Sequence, residues 1–334
     1  MWRPRPRVKG VASGRLKARG TLNDMAYRWV IVTPVFEDVE AASRLFVELR
    51  ETLGNEVVVV AVDDGSTHEP LGTEPIRDAG LDGVVVRLIR NIGHQRAIAV
   101  GLGYASEHYP DLPCVVMDSD GEDVPASVPL LIDELERSGV DAVVAQRRNR
   151  SESWKFQLFY AVYKRIFGAL TGRNISFGNF MILKPAAVRR ICAMPETWIH
   201  LAASVLVSRL RVLRLPIDRG SRYVGSSKMN FTGLALHGFR AITVFAEDVM
   251  VRLGAFCAFV GAMSIVGIIA SIALKVAGMT SPGWFSVALA LLTIMLIQTG
   301  ALALISLFVT GRSNNLLAVQ YSRMIDVVMP VNRE

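Results

Sequence analysis

Two long stretches without a charged residue limit what this chain can fold into more than any other feature. No Asp, Glu, Lys or Arg occurs from Leu253 to Leu274 (LGAFCAFVGAMSIVGIIASIAL), nor from Ser281 to Gly311. Each reaches the roughly 20 residues needed to cross the hydrocarbon core of a bilayer. A buried core helix is the other reading, but such helices seldom run so far without a charge. These runs help lift the hydrophobic share of the 334 residues to 51% and the mean hydropathy to +0.35. Only KVAGMTSPG joins them, so residues 253–311 read as a tight two-helix hairpin, with spans over 253–275 and 284–310 and both ends on one side.

The basic residues indicate which side. The connector carries only Lys275, whereas Arg211, Arg214, Arg219, Arg222, Lys228, Arg240 and Arg252 precede the first run and Arg312 and Arg323 follow the second. Positive residues favour the cytoplasmic face, which places the N-terminal part and a tail over residues 312–334 in the cytoplasm. The net charge of +7 suits a protein resting on an anionic leaflet. Nucleic acid is not expected as a partner, because no recognised binding motif accompanies the charge. Residues 1–27 are basic and lack the apolar segment of a secretory signal, and read as a disordered arm. Cys114, Cys192 and Cys257 lie in apolar contexts without metal-ligand spacing, and read as reduced packing residues.

Residues 28–230 have another character. WVIVTPVF (29–36), EVVVVAVDDGS (56–66), GVVVRLIRN (83–91), PCVVMDSD (113–120) and DAVVAQR (141–147) are apolar, β-branched runs with polar ends. Helical segments alternate with them, over 38–54, 94–109, 154–171 and 184–194, with a late strand in 209–220. Continuous apolar strands between helices predict a mostly parallel α/β sheet covered on both faces, in which ligands bind at the carboxyl ends of the strands. Residues 231–252 are amphipathic and read as a juxtamembrane helix, either on the membrane or in the core of the domain.

The polar tails DDGS, RNIG and DSDGED should therefore converge. Asp118 and Asp120, one residue apart at a strand end, can turn two carboxylates to one point, and hard Mg²⁺ or Mn²⁺ prefers such oxygen ligands shared with phosphates. Alone, that pair is as readily an acidic surface turn. In VDDGS, Asp63 and Asp64 can accept from a base N–H or a ribose hydroxyl, or cap a helix. RNIGHQRA offers Arg90, Asn91 and Gln95 for a sugar or phosphate, or is a plain strand-to-helix turn. RYVGSSKM sets Arg222, Ser227 and Lys228 around a Gly-Ser-Ser turn, fit for a diphosphate or for lipid headgroups.

The ordered set PVFED, VDDGS, NIGHQRA, DSDGED and RYVGSSK, followed by a hairpin of two spans, resembles the family 2 glycosyltransferases of GT-A fold. It is most similar to their membrane-anchored branch, which includes dolichol-phosphate mannosyltransferase and bacterial polyisoprenyl-phosphate glycosyltransferases. The resemblance covers Trp29 to about Arg312. It implies a nucleotide-diphospho-sugar transferase fold, a Rossmann-like mostly parallel sheet followed by a transmembrane hairpin. The implied reaction is an inverting transfer from a nucleotide-sugar, by default a UDP-sugar with GDP-mannose open, helped by a divalent cation, Mg²⁺ or Mn²⁺. The acceptor it implies is a polyprenyl phosphate at the cytoplasmic leaflet of a bacterial-type inner membrane, in cell-envelope glycan synthesis or modification. A homo-oligomer stays open.

By position, Pro34, Phe36, Glu37, Asp63 and Asp64 would line the nucleoside site, with Asn91 and Gln95 beside them. Asp118 and Asp120 would meet the metal and diphosphate, and Arg222, Ser227 and Lys228 would close over the phosphates. Asp120, Glu122, Asp123 and Asn179 are the candidates for the chemistry, with Glu122 or Asp123 as a base if the acceptor needs one. Two segments depart from the branch. FGNFMI carries Asn179 and Met181 where an acid and an arginine-like base are expected, and PETWIHL lacks an arginine expected near the acceptor. A lipid or glycan hydroxyl acceptor therefore remains the alternative, and a non-catalytic membrane scaffold a further one. A transporter is not expected, since neither uncharged run offers a charge to line a pathway.

Overall fold

The computed structural model describes residues 27–147, 164–173, 177–224, 238–313 and 320–331. Its strands are β1 (Trp29–Val35), β2 (Val57–Asp63), β3 (Asp82–Leu88), β4 (Cys114–Val116), β5 (Ala142–Arg147), β6 (Met181–Leu183), β7 (Val212–Ile217) and β8 (Ile325–Pro330). The helices are α1 (Val39–Leu53), α2 (Glu74–Asp78), α3 (His94–His108), α4 (Val128–Ser138), α5 (Pro185–Cys192), α6 (Leu201–Val207), α7 (Ala246–Val276) and α8 (Trp284–Ser313). Eight strands form one sheet in the order β7-β5-β6-β4-β1-β2-β3-β8. All run parallel except β6, antiparallel to β4 and β5, and β8, antiparallel to β3.

Every residue of β1 and β2 is buried, which is why both strands read as unbroken apolar runs. Alternate residues serve opposite layers. Trp29, Ile31, Val57 and Val59 pack with Leu45, Phe46 and Leu49 of α1 and with Leu131 and Leu135 of α4. Val30, Val32, Val58 and Val60 pack with Ile98 and Leu102 of α3, Val188 of α5 and Leu201 of α6. Each large side chain so covered contributes about 1.5–3 kcal/mol of transfer free energy. The polar strand ends of β1, β2 and β4 consequently emerge at one edge.

The two apolar helices lie against each other as a hairpin. Cys257, Gly261, Ser264 and Ser271 form the buried seam of α7, small residues that let two helix backbones approach. Ser306 Oγ donates to the Met250 carbonyl oxygen at 2.7 Å across the pair. The outer surface is apolar, with Phe256, Phe259, Ile269, Leu291 and Ile297 each more than 60% exposed, a surface suited to lipid rather than water. By length and composition, both helices can cross a bilayer. Helix α7 runs unbroken from Ala246, so its first two turns, with Glu247, Asp248 and Arg252, continue into the apolar run. Part of the amphipathic 231–252 segment, residues 231–237, and all but the last residue of the 1–27 arm lie outside the described residues.

Two contacts root the hairpin on the sheet domain. Phe167, Ala203, Ala241, Val244 and Phe245 form a small core of their own, with Phe167 edge-on to Phe245 at 5.6 Å. After α8 the chain returns. The Tyr321 ring lies so close over Gly103 of α3 that a Cβ there would fall 2.8 Å from it, and its hydroxyl is hydrogen-bonded to Glu107. Ile89 N–H donates to the Met324 carbonyl at 3.1 Å, and β8 then extends the sheet beside β3. The sequence reading treated this segment as a plain tail. Strand β6 also escaped it, because three residues inside FGNFMI are too few for a pattern.

Candidate active site

Strand β1 ends in Pro34 and Val35, and Phe36 and Glu37 follow in a bend, with Glu37 at φ +47°. The Glu37 carboxylate accepts from Thr67 N–H at 2.6 Å, His68 N–H at 3.1 Å and Glu69 N–H at 2.8 Å, and also from the Thr67 hydroxyl. The Thr67 amide bond first, then those of Glu69 and His68, hold its pKa down at about 2 against the opposing effect of burial. A carboxyl whose folded pKa lies below its unfolded value contributes stability above the unfolded value, and that stability is lost as pH falls through the folded one. Amide protection of residues 67–69, measured by hydrogen exchange against intrinsic rates, should therefore decline as pH drops from 4.5 toward about 2. Unchanged protection at the acid end would mean that another contact holds the loop.

Strand β2 delivers two fully engaged acids. Asp63 is completely buried; its Oδ1 accepts from Ser66 N–H at 2.9 Å, while Oδ2 accepts from Leu71 N–H and Arg87 Nε, each at 3.2 Å. Asp64, 3% exposed, accepts from Ile92 N–H at 2.8 Å and Gly93 N–H at 3.0 Å. Burial raises the Asp64 pKa despite those bonds. Asp64 thus ties the DDGS turn to the RNIG turn that starts α3. Phe36, 42% exposed, is the large side chain left at the mouth, while Pro34 is buried and its carbonyl accepts from Ser119 Oγ at 3.0 Å. Asn91 lies on the exposed outer side of the RNIG turn.

The DSDGED run folds back on itself and onto the segment 219–223. Asp118 N–H donates to Asp123 Oδ2 at 2.9 Å, and Glu122 N–H to Asp120 Oδ1 at 3.0 Å. Arg222 reaches Asp120 Oδ2 at 2.7 Å and Glu122 Oε1 at 3.2 Å, and Arg219 pairs with Glu122 Oε2. Tyr223 N–H donates to the Asp120 carbonyl at 2.9 Å, and Gly220 N–H to that of Glu122 at 3.0 Å. Burial and then the charge of Asp118 raise the Asp120 pKa, against the pull of Arg222, Arg219 and His94. Ser227 and Lys228 lie outside the described residues.

On the other side of Asp118 stands a chain of side chains. Asp118 Oδ1 is 3.2 Å from His94 Nε2, which is 3.1 Å from Asn179 Nδ2. Gln95 Nε2 donates to Asn179 Oδ1 at 3.1 Å, and Gln95 Oε1 accepts from Leu201 N–H at 2.8 Å. Burial would lower the His94 pKa, but Asp118 above all, then Asp123 and Asp120, raise it. Asn179 and Gln95 therefore stand together beside Asp118, although 84 residues separate them. The sequence reading left out His94 and Arg219. Both stood in quoted segments, Arg219 as one more cytoplasmic charge and His94 as part of a turn.

Residues 30–190 match the model of glycosyl transferase family 2. The chain carries a family 2 glycosyltransferase domain. That stretch spans β1 to α5 and so holds the site residues above except Leu201 and those of the 219–228 segment. The chain is 27% identical over 294 residues to an uncharacterized glycosyltransferase of Synechocystis sp., covering 84% of this chain and 88% of that one. It is 24% identical over 265 residues to an undecaprenyl-phosphate 4-deoxy-4-formamido-L-arabinose transferase of an Enterobacter species, covering 76% and 78%. Among solved structures, a mycobacterial protein is similar at a TM-score of 0.50 and 16% identity, covering 67% of this glycosyltransferase and 75% of that chain. The mostly parallel sheet expected from the sequence agrees with the fold of that solved neighbour.

Proposed function

We propose that this glycosyltransferase moves a sugar from a nucleotide-sugar onto the phosphate of a membrane polyprenyl phosphate. The observation that carries this reading is the state of the acids in the DSDGED run. Asp120 and Glu122 are paired with Arg222 and Arg219, Asp123 accepts from the Asp118 amide, and Asp118 faces His94. Each acid is held by a partner within the protein. A hydroxyl acceptor needs a positioned base, whereas a lipid phosphate arrives already anionic, so a site whose acids are committed suits the phosphate. The polyprenyl-phosphate relative supports the same acceptor, and the hairpin would hold the site near it.

In this reading Phe36 meets the base, and the wall formed by Pro34, Glu37, Asp63 and Asp64 shapes the nucleoside crevice. Asn91 and Gln95 border it, and Arg222, with Ser227 and Lys228, closes over the diphosphate. Asp118 and Asp120 are hard oxygen donors two positions apart beside that diphosphate, a set that suits Mg²⁺ or Mn²⁺. Such a cation would neutralise charge on the diphosphate as the nucleotide departs. Because β8 returns from the hairpin to pair with β3, the catalytic domain and the C-terminal segment would share one side of the membrane. The basic residues flanking the spans support the cytoplasmic side.

The test uses membranes containing the full chain, labelled nucleotide-sugars and extraction of the lipid product. A labelled lipid that releases its sugar under mild acid is expected. An acid-stable glycoside would overturn the phosphate acceptor and favour a hydroxyl.

A further inference from the structure

Helix α8 carries two lengthwise seams. From Leu291 to Ser306 only Leu292, Leu296, Thr299, Ala303 and Ser306 are not exposed, and these face α7. A Cβ on Gly261 would meet Leu296 and Thr299, one on Gly267 would meet Leu292, and Ser306 bonds to Met250. Their spacing alternates between four and three residues, the period of a coiled coil. The second seam is Val287, Leu291, Ile294, Gln298, Ala301 and Ile305. It keeps the same period on the far side of the helix, and every member is exposed. All are apolar except Gln298.

Gln298 stands midway along α8 (Trp284–Ser313), which in a spanning helix is the middle of the hydrocarbon. No water reaches a side chain there, and an unpaired donor or acceptor is costly. Ser264, Ser271 and Thr299 turn their hydroxyls back to carbonyls of their own helix. The Gln298 amide, with two N–H donors and one carbonyl acceptor, has no hydrogen-bond partner among the described residues. Lipid tails, polyprenyl chains included, bring nothing to bond it, so whatever covers this seam must carry a polar group at the same depth. A second copy of the chain does so. Two copies insert in the same orientation, so their Gln298 residues arrive at one level, and an amide that both donates and accepts is complementary to itself across a twofold axis. We propose that the exposed seam of α8 is an interface between two copies of this chain, packed in parallel and held in register by hydrogen bonding between their Gln298 amides. A single polar residue in an otherwise apolar heptad seam fixes register in this way, and Ala301, one turn on, lets the backbones approach. The pairing needs the hairpin in a bilayer, as proposed above, but no particular sugar or acceptor.

The full-length chain, labelled with donor and acceptor fluorophores, is reconstituted in phosphatidylcholine vesicles, and energy transfer is followed as lipid is added. Self-association that survives dilution is expected, weakened about tenfold in Gln298→Leu. It should be unchanged in Phe259→Leu, a substitution on the outer face of α7. Leucine suits a span better than glutamine, so failed insertion cannot explain the loss. Mild oxidation of Ala301→Cys, which keeps Gln298, should link two copies, and Phe259→Cys should not. A monomer at every lipid ratio, or equal association in Gln298→Leu, would overturn the pairing. Cross-linking of Ala301→Cys in native membranes to a different protein alone would overturn the second copy as the occupant of the seam. A chain that alkaline carbonate strips from membranes would overturn the spanning reading, and the pairing with it.

Discussion

Asp120→Asn is expected to slow sugar transfer by about three orders of magnitude, the scale seen when one preorganised charge-stabilising group is lost. The substitution keeps an oxygen to accept from Glu122 N–H, so the turn of the DSDGED run survives. It removes the negative charge that meets Arg222 at 2.7 Å and, in the proposed reading, the metal. Stability should hardly fall, and the sign follows from the pKa. Burial raises the Asp120 pKa in the folded protein, so its ionised form is less favourable there than in the unfolded chain. A carboxyl shifted in that direction makes the fold less stable as pH rises above the unfolded pKa, and the neutral amide escapes that effect. An acid kept ionisable at a cost to the fold is the pattern expected of a functional group. Transfer in membranes, with thermal melting in detergent alongside, separates the two effects. Activity within tenfold of the native protein would remove Asp120 from the chemistry, and a large fall in melting temperature would show that its role is structural.

The parts of the molecule that could be read in the sequence are those with a one-dimensional period. Strands β1 and β2 are buried on both faces, so their runs of Val and Ile identify them whatever lies around them. The hairpin helices are apolar on nearly every side and announce themselves by length. The DDGS and DSDGED ends were found because parallel strands send their carboxyl ends to one edge. What escaped depends on partners far away in the chain. Strand β8 has no alternation of its own and exists because β3 offers an unpaired edge. Asp63 looked like a ligand contact, yet Leu71 and Arg87, brought in by folding, occupy its carboxylate. His94 gained its position from Asn179 and Asp118, which no spacing rule connects to it.

Gly65→Ala should destabilise the protein by about 3–5 kcal/mol, because one added methyl group would separate the two turns that carry the site. Gly65 has φ +69°, where a side chain is strained by about 1–2 kcal/mol. Strain is the smaller part. A Cβ at this position would lie 2.3 Å from Arg90 C, 2.5 Å from Asn91 N and 2.7 Å from Arg90 Cα, all backbone atoms that no rotamer change can move. The 89–93 turn must retreat, and it carries the Ile92 and Gly93 N–H groups that bond Asp64 and the Ile89 N–H that bonds Met324. Bonds to a charged acceptor are worth about 1.5–3 kcal/mol each, so losing them, together with the strain, accounts for the figure. The expected drop in melting temperature is about 10 °C for a domain of this size. Nucleotide affinity should fall with it, since Asn91 lies in the same turn and Gln95 just after it. Gly139 supplies the control. Its φ of +66° is nearly the same and no atom lies within 4 Å of its Cβ position, so Gly139→Ala carries the strain without the collision and should lose only about 1–2 kcal/mol. Equal melting temperatures for the two variants would mean that the close crossing of the DDGS and RNIG turns contributes nothing beyond backbone strain.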